Sequence, residues 1–379
     1  MQLRESFDLV HVVSPSLMQG SAIDQDRRFK YSIEAIRSPN NLGEARLKSS
    51  EIRFGLIIPQ GWQLDLPESL SPVEQYKLIE RTGREAERIG FDSVWLYDHF
   101  HTIPEPRPYS CFECWSTLMA LAKATSRLRL GEIVTSNSYR QPSYLAKIAS
   151  MLDIVSNGRL EFGIGAGWYE HEYLGYGFEF PRGSVRIGML EEAVQIIKSL
   201  WTEKVTNFEG KYYRLKEAYN YPKPVQKPHP PILIGGSGEK LTLRVVAEHA
   251  DRWNGGWGVE NYEHKLDVLK QHCQNVGRDF DDIEKTYTSA IFVAESTEKA
   301  IALFKNFKDH QNRLMKKKRD YDLEENMRAH VIGSQKEALE KLRKIKQLGA
   351  TYFIMYMPTA TDISLLRLLH EEVVKPLTE

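Results

Sequence analysis

The chain has 379 residues, 41% hydrophobic and 27% charged, enough apolar content for one large α/β barrel or two medium domains. Lys+Arg and Asp+Glu stand at 51 each, which argues against a nucleic-acid partner, and Lys316-Lys317-Lys318-Arg319 reads as a solvated helix face. Three cysteines suit a reducing cytoplasm better than a disulfide scaffold, and no apolar run approaches the ~20 residues that span a bilayer, so no membrane partner is expected.

Residues 1–50 lack sustained periodicity and end in the polar stretch Ser38-Pro39-Asn40-Asn41-Leu42-Gly43. They read as a poorly ordered extension. Glu5, Asp8 and His11 interrupt any secretory pattern, so a cytoplasmic enzyme acting on a small molecule is the expectation. The folded domain, 51–379, is expected to start near Ile52.

Strand candidates then follow in chain order at Arg53–Ile58, Ser93–Tyr97, Arg127–Thr135, Leu160–Ile164, Pro231–Ile234, Arg252–Asn254, Lys285–Ala294 and Thr351–Met355. Helical patterns fill most of the gaps, at Pro72–Ile89, Glu113–Thr125, Ser143–Val155, Val185–Trp201, Lys240–Ala250, Glu260–Asn275, Lys336–Gln347 and Ile363–Val374. Ser71-Pro72-Val73-Glu74 is a start signal, and glycines 90 and 349 stop helices ahead of strands. Such alternation predicts a parallel sheet, and eight units favour a closed (β/α)₈ barrel over a doubly wound sheet. Stretches 165–184 with 202–230, and 305–334, are too long for plain connections and are expected to cover the barrel mouth.

A barrel keeps its site at the C-terminal ends of the strands. Those ends carry Gln60 and Trp62, Asp98-His99, Thr135-Ser136-Asn137, Gly165-Ala166-Gly167-Trp168, Gly235-Gly236-Ser237-Gly238 and Asn254-Gly255-Gly256-Trp257. This lining suits a flat aromatic ligand with a polar tail. The turn at Gly235-Gly236-Ser237, between a buried strand and a helix, could hold phosphate on backbone N–H groups or be a plain tight turn.

Other motifs are weaker. Gly163-Ile164-Gly165-Ala166-Gly167 has Trp168 where a dinucleotide fingerprint needs its third glycine, so it reads as a loop letting a ring approach the backbone. His99 and His101 form H-x-H, but further metal ligands are missing from the other strand ends, and no metal is expected. His99 is either a proton-handling group or a satisfied structural histidine, with Asp98 orienting it or capping a loop. Cys111-Phe112-Glu113-Cys114 reads as an incidental C-x-x-C. No lysine sits on a strand end and no serine in a nucleophile elbow, which disfavours aldolase and hydrolase chemistry.

Four segments carry a resemblance: Phe91–His99 (FDSVWLYDH), Val134–Pro142 (VTSNSYRQP), Ser156–Trp168 (SNGRLEFGIGAGW) and Pro230–Gly238 (PPILIGGSG). Together they resemble the luciferase-like monooxygenase superfamily, and within it the deazaflavin (F420)-dependent oxidoreductases. The resemblance implies a ring held at the barrel mouth near His99 and backed by a non-proline cis peptide within Glu132–Thr135, foremost Ile133-Val134. The implied contacts are Thr135, Ser136 and Asn137 around the ring, Gly165, Ala166 and Gly167 along ring and tail, and Gly235, Gly236 and Ser237 at a phosphate. Trp62, Trp168 and Trp257 would wall the substrate pocket. Some F420-dependent sugar-phosphate dehydrogenases carry a catalytic Glu in the fourth loop, where this chain has Trp168, which places sugar-phosphate chemistry in doubt. The implied activity is hydride exchange between F420 and a small organic substrate in a homodimer. The alternatives are an FMN monooxygenase using O₂ and a non-catalytic cofactor-binding barrel.

Overall fold

The computed structural model describes residues 51–379, and the expectation for residues 1–50 lies outside them. Eight parallel strands close on themselves: β1 Arg53–Ile57, β2 Ser93–Leu96, β3 Arg129–Glu132, β4 Leu160–Gly165, β5 Ile232–Gly235, β6 Arg252–Gly256, β7 Glu284–Ala294 and β8 Ala350–Tyr356. Closure is visible in β8, which pairs with β7 on one side and β1 on the other. Eight helices cover the outside: α1 Pro72–Ile89, α2 Cys114–Ala124, α3 Pro142–Val155, α4 Gly183–Thr202, α5 Thr242–His249, α6 Val259–Val276, α7 Gln335–Gln347 and α8 Ile363–Leu369. The chain is a (β/α)₈ barrel with insertions. No described helix is long and apolar enough to cross a membrane.

Local chemistry explains the element ends. Ser71 caps α1 in a reciprocal capping box with Glu74, and Gly90 ends it in the left-handed conformation that glycine adopts without a Cβ penalty. Period-two alternation sends every second strand residue inward. Ile57, Trp95, Ile133, Leu233, Tyr352, Ile354 and Tyr356 fill the barrel interior. Trp95 fits there because its neighbours present glycine: a Cβ on Gly55 or Gly131 would come within 2.6 or 2.3 Å of the indole.

The inward layer at the N-terminal ends of the strands is charged. Glu161, fully buried, takes bonds from Arg129 and Arg252 and lies 3.5 Å from Arg53, while Glu284 binds Arg53 at 2.6 Å and Arg252 at 2.7 Å. Burial alone would raise the Glu161 carboxyl, but the three guanidinium groups hold it down at about 2.

Two expectations need correction. Residues 202–230 do not cover the mouth. Thr206–Glu209 and Arg214–Ala218 form an antiparallel hairpin whose turn is tied to Glu192 of α4. The chain then runs to the opposite end of the barrel, where Gln226 bonds Arg129 and the Leu160 carbonyl. The second insertion also holds more structure than expected: helices Thr297–Leu314 and Leu323–Ala329, then a short strand Val331–Ser334 that pairs with the outer half of β7.

Candidate active site

At the C-terminal ends of the strands lies a cavity of about 970 Å³. Its floor is a break between β3 and the two-residue strand Thr135–Ser136, where the Ile133-Val134 peptide is cis. Ile133 turns into the barrel interior, and Val134 packs over β4 and β5. The glycines of those strands serve this contact. A Cβ on Gly165 would lie 2.7 Å from Val134 Cγ2, and one on Gly235 would lie 2.9 Å from Val134 Cγ1. The Gly163–Gly167 run therefore admits a neighbouring strand, where the sequence suggested room for a ring alone. Gly165→Ala should destabilise the fold by about 1–3 kcal/mol through overpacking. A urea midpoint equal to that of the wild type would contradict this account of the bulge.

On the β2 side, His99 is held on two faces. Its Nδ1 lies 2.7 Å from Glu172 Oε2, and its ring stacks on Trp62 with centroids 4.1 Å apart and an interplanar angle of 2°. Glu172 is fully buried and accepts three further bonds, from Tyr139 OH at 2.7 Å and the backbone N–H groups of Phe100 and His101 at 2.8 and 3.1 Å. Burial pushes its carboxyl up, but the hydrogen bonds from His99, Tyr139 and Phe100 outweigh that and hold it below the usual glutamate value. An ionised Glu172 fixes the His99 proton on Nδ1, which leaves Nε2 as the nitrogen available to a ligand.

Asp98 does not reach the His99 ring. It accepts from Arg140 at 2.7 and 3.0 Å and from the Ser136 N–H at 2.9 Å, so it clamps the turn that follows the cis bond. Glu113, Cys114 and Asp98 gather closely enough for a metal, but the guanidinium of Arg140 bonds both carboxylates. Burial, reinforced by nearby carboxylates, pushes the Cys111 and Cys114 thiols well above their ordinary value, so neither is a ready nucleophile. His101 points to His171, 3.2 Å away, so the two histidines of H-x-H diverge.

The cavity wall gathers Trp62, Asp98, His99, Ile133, Val134, Thr135 and Ser136 with Gly165, Ala166, Gly167, Trp168, Gly235, Gly236, Ser237 and Trp257. Asn137 is not among them: it is fully buried behind the floor and donates to Tyr213 OH at 3.1 Å. The Gly235–Ser237 turn meets the start of α5 in space, since a Cβ on Gly236 would lie 2.8 Å from Thr242 Cγ2. Gly236 takes φ 138°, and α5 begins only at Thr242, after Leu241, which gives no side-chain cap. Trp168 and Trp257 are rim residues, 59% and 67% exposed, while Trp62 is buried.

A profile of luciferase-like monooxygenases matches residues 52–352. The chain belongs to the luciferase-like monooxygenase family. Over 233 residues this family member is 30% identical to an F420-dependent glucose-6-phosphate dehydrogenase of Amycolatopsis mediterranei (strain U-32), an alignment covering 59% of this chain and 67% of that one. It spans 60% to 68% of the length of the relatives that bear this name. Among solved structures, monooxygenase RslO1 from Streptomyces bottropensis superposes with TM-score 0.71 at 20% identity, covering 86% of this chain and 99% of that one. The coenzyme F420-dependent tetrahydromethanopterin reductase from Methanopyrus kandleri gives 0.67 at 18%, with the same coverage. At such identities these two likenesses speak for the barrel alone.

Glu172, Tyr139 and Arg140 went unassigned in the sequence. For Glu172 the usable signal was a carboxylate in the loop after β4, seven residues beyond its end, where a family loop lines the site.

Proposed function

We propose that this protein is an oxidoreductase that uses F420 to exchange a hydride with a small organic substrate, with His99 handling the proton. The observation that carries the reading is the His99–Glu172 pair beside the cis floor, with Nε2 free of protein partners among the described residues. F420-dependent relatives at 30% identity support the choice of cofactor.

The residues present fit such a group. The cavity is at the upper end of the size usual for small-molecule sites, so a flat ring and a substrate have room together. Ile133-Val134 would back the ring, with Thr135, Ser136, Gly165, Ala166 and Gly167 beside it. Arg186 and the exposed Gly235–Ser237 turn line the same cavity and suit an anionic tail. When bound, F420 supplies hydride transfer at its ring C5. The chain supplies the rest. Glu172 holds the His99 ring and its tautomer, Nε2 accepts the proton of a reacting hydroxyl or returns it to a carbonyl oxygen, and Trp62 bars water behind the ring. Asp98 acts at one remove, by fixing the Ser136 backbone. Trp168, where some F420-dependent sugar-phosphate dehydrogenases carry a glutamate, argues against glucose 6-phosphate as substrate, and assays with that sugar are expected to show no F420 reduction.

The second reading is an FMN monooxygenase, in keeping with the luciferase-like monooxygenase family whose profile the chain matches. Oxygen consumption separates the two: the proposed enzyme retains full activity without oxygen, and strict dependence on oxygen would refute it. Tight cofactor binding without hydride exchange would instead favour a carrier. The reading includes a homodimer, expected as a doubled mass in light scattering.

A further inference from the structure

The cavity has a second polar pole, remote in sequence from His99 and Glu172. It lies on the insertion between β7 and β8, where the helix Thr297–Leu314 carries Lys308 and His330 follows the helix Leu323–Ala329. Both side chains line the cavity, together with Phe292, Phe304, Phe307 and Asn326.

Lys308 is half-buried, and among the described residues its ammonium has no hydrogen-bond acceptor and no carboxylate partner. It lies 5.6 Å from the centre of the Phe304 ring and 6.0 Å from that of Phe307. Burial lowers its pKa, and the repulsive charge of Arg319 lowers it further. His330 Nδ1 lies 3.4 Å from the backbone N–H of Ala290 and 3.3 Å from Ser289 Oγ; accepting from the amide puts its own proton on Nε2. Burial first, then Lys308 and Lys341, push its pKa down to about 4, so the ring is neutral near pH 7 and Nε2–H is a fixed donor. The pole thus offers one cation and one N–H donor against aromatic walls, with nothing among the described residues to balance the charge. A desolvated lysine without a counter-ion is costly, and a single anion would relieve it.

We infer that the substrate carries a carboxylate on an apolar body, and that Lys308 and His330 seat that carboxylate while its reacting carbon faces the His99 side of the cavity. The inference rests on the oxidoreductase reading above. A single cation matches a monoanion; a phosphate dianion would call for more donors than these.

The test is calorimetric titration of the full chain with benzoate, its neutral isostere benzamide, and phenyl phosphate, alongside absorbance titration with F420. Wild type is expected to bind benzoate at least about 10-fold more tightly than benzamide. Lys308→Met, which keeps the stem and sheds the charge, should erase that preference, Lys308→Arg should retain most of it, and neither should alter F420 affinity. Equal binding of benzoate and benzamide by wild type, or a preference that survives Lys308→Met, overturns the inference. So does tighter binding of phenyl phosphate than of benzoate, or loss of F420 affinity in Lys308→Met, which would make Lys308 a tail ligand of the cofactor. Failure of wild type to bind F420 would sink the cofactor reading separately, because the benzoate titration needs no cofactor.

Discussion

Replacing His99 with Ala should lower turnover by about 10²- to 10⁴-fold while cofactor affinity changes by less than about threefold, the pattern of a lost proton-transfer group. The expectation follows from what the ring touches: Glu172 at 2.7 Å on Nδ1 and Trp62 stacked on its face, which leave Nε2 for chemistry. Glu172→Gln tests the same pair from its far side. Four donors converge on the Glu172 carboxylate, and a glutamine must turn its own N–H₂ toward one of them. Turnover should fall about 10-fold or more, and the pH–rate profile should shift, because the group that fixes the His99 tautomer has lost its charge. Stopped-flow hydride exchange and cofactor titration on both variants check this. Unchanged turnover in His99→Ala would leave that residue a structural one.

The second large effect concerns stability. Glu161→Ala should destabilise the barrel by about 3–5 kcal/mol, since it takes the carboxylate partner from Arg129 and leaves Arg53 and Arg252 to share Glu284. The same layer governs behaviour in acid. The folded Glu161 carboxyl is held at about 2, below the 4.5 of the unfolded chain, so its contribution is fully present above about 4.5. That contribution is lost as pH falls from there towards 2. Urea midpoints should therefore drop more steeply across this window for wild type than for Glu161→Ala. Parallel pH dependence of the two would contradict the assignment.

The fold was legible because its signals are local. Ser71 and Glu74 meet across one helical turn, and the eight strand patterns each needed only their own residues. The cis peptide came through family resemblance, since nothing in Ile133-Val134 itself distinguishes the bond. The site was only half legible. Trp62, His99 and the glycines sit at strand ends, where a barrel brings them together, but Glu172 reaches its partners across 33 to 73 positions of sequence. Its direction depends on a short helix, Glu170–Gly175, that carries no side-chain cap. The charged inner layer was missed because Arg53, Glu161 and Arg252, spread along the chain, each look like an ordinary polar strand residue until closure brings them together. Of the two roles left open for Asp98 its contacts match loop capping, and Asn137 was expected in the lining. Both lie beside the correct loop, but their side chains turn to Arg140 and Tyr213.

The proposed function requires that His99 and the cis floor serve F420. Anaerobic titration of the purified protein with F420 and, separately, with FMN, following ring absorbance, tests it most directly. Saturable binding of F420 with weaker or no binding of FMN is expected; saturable binding of FMN with none of F420 would overturn the proposed function.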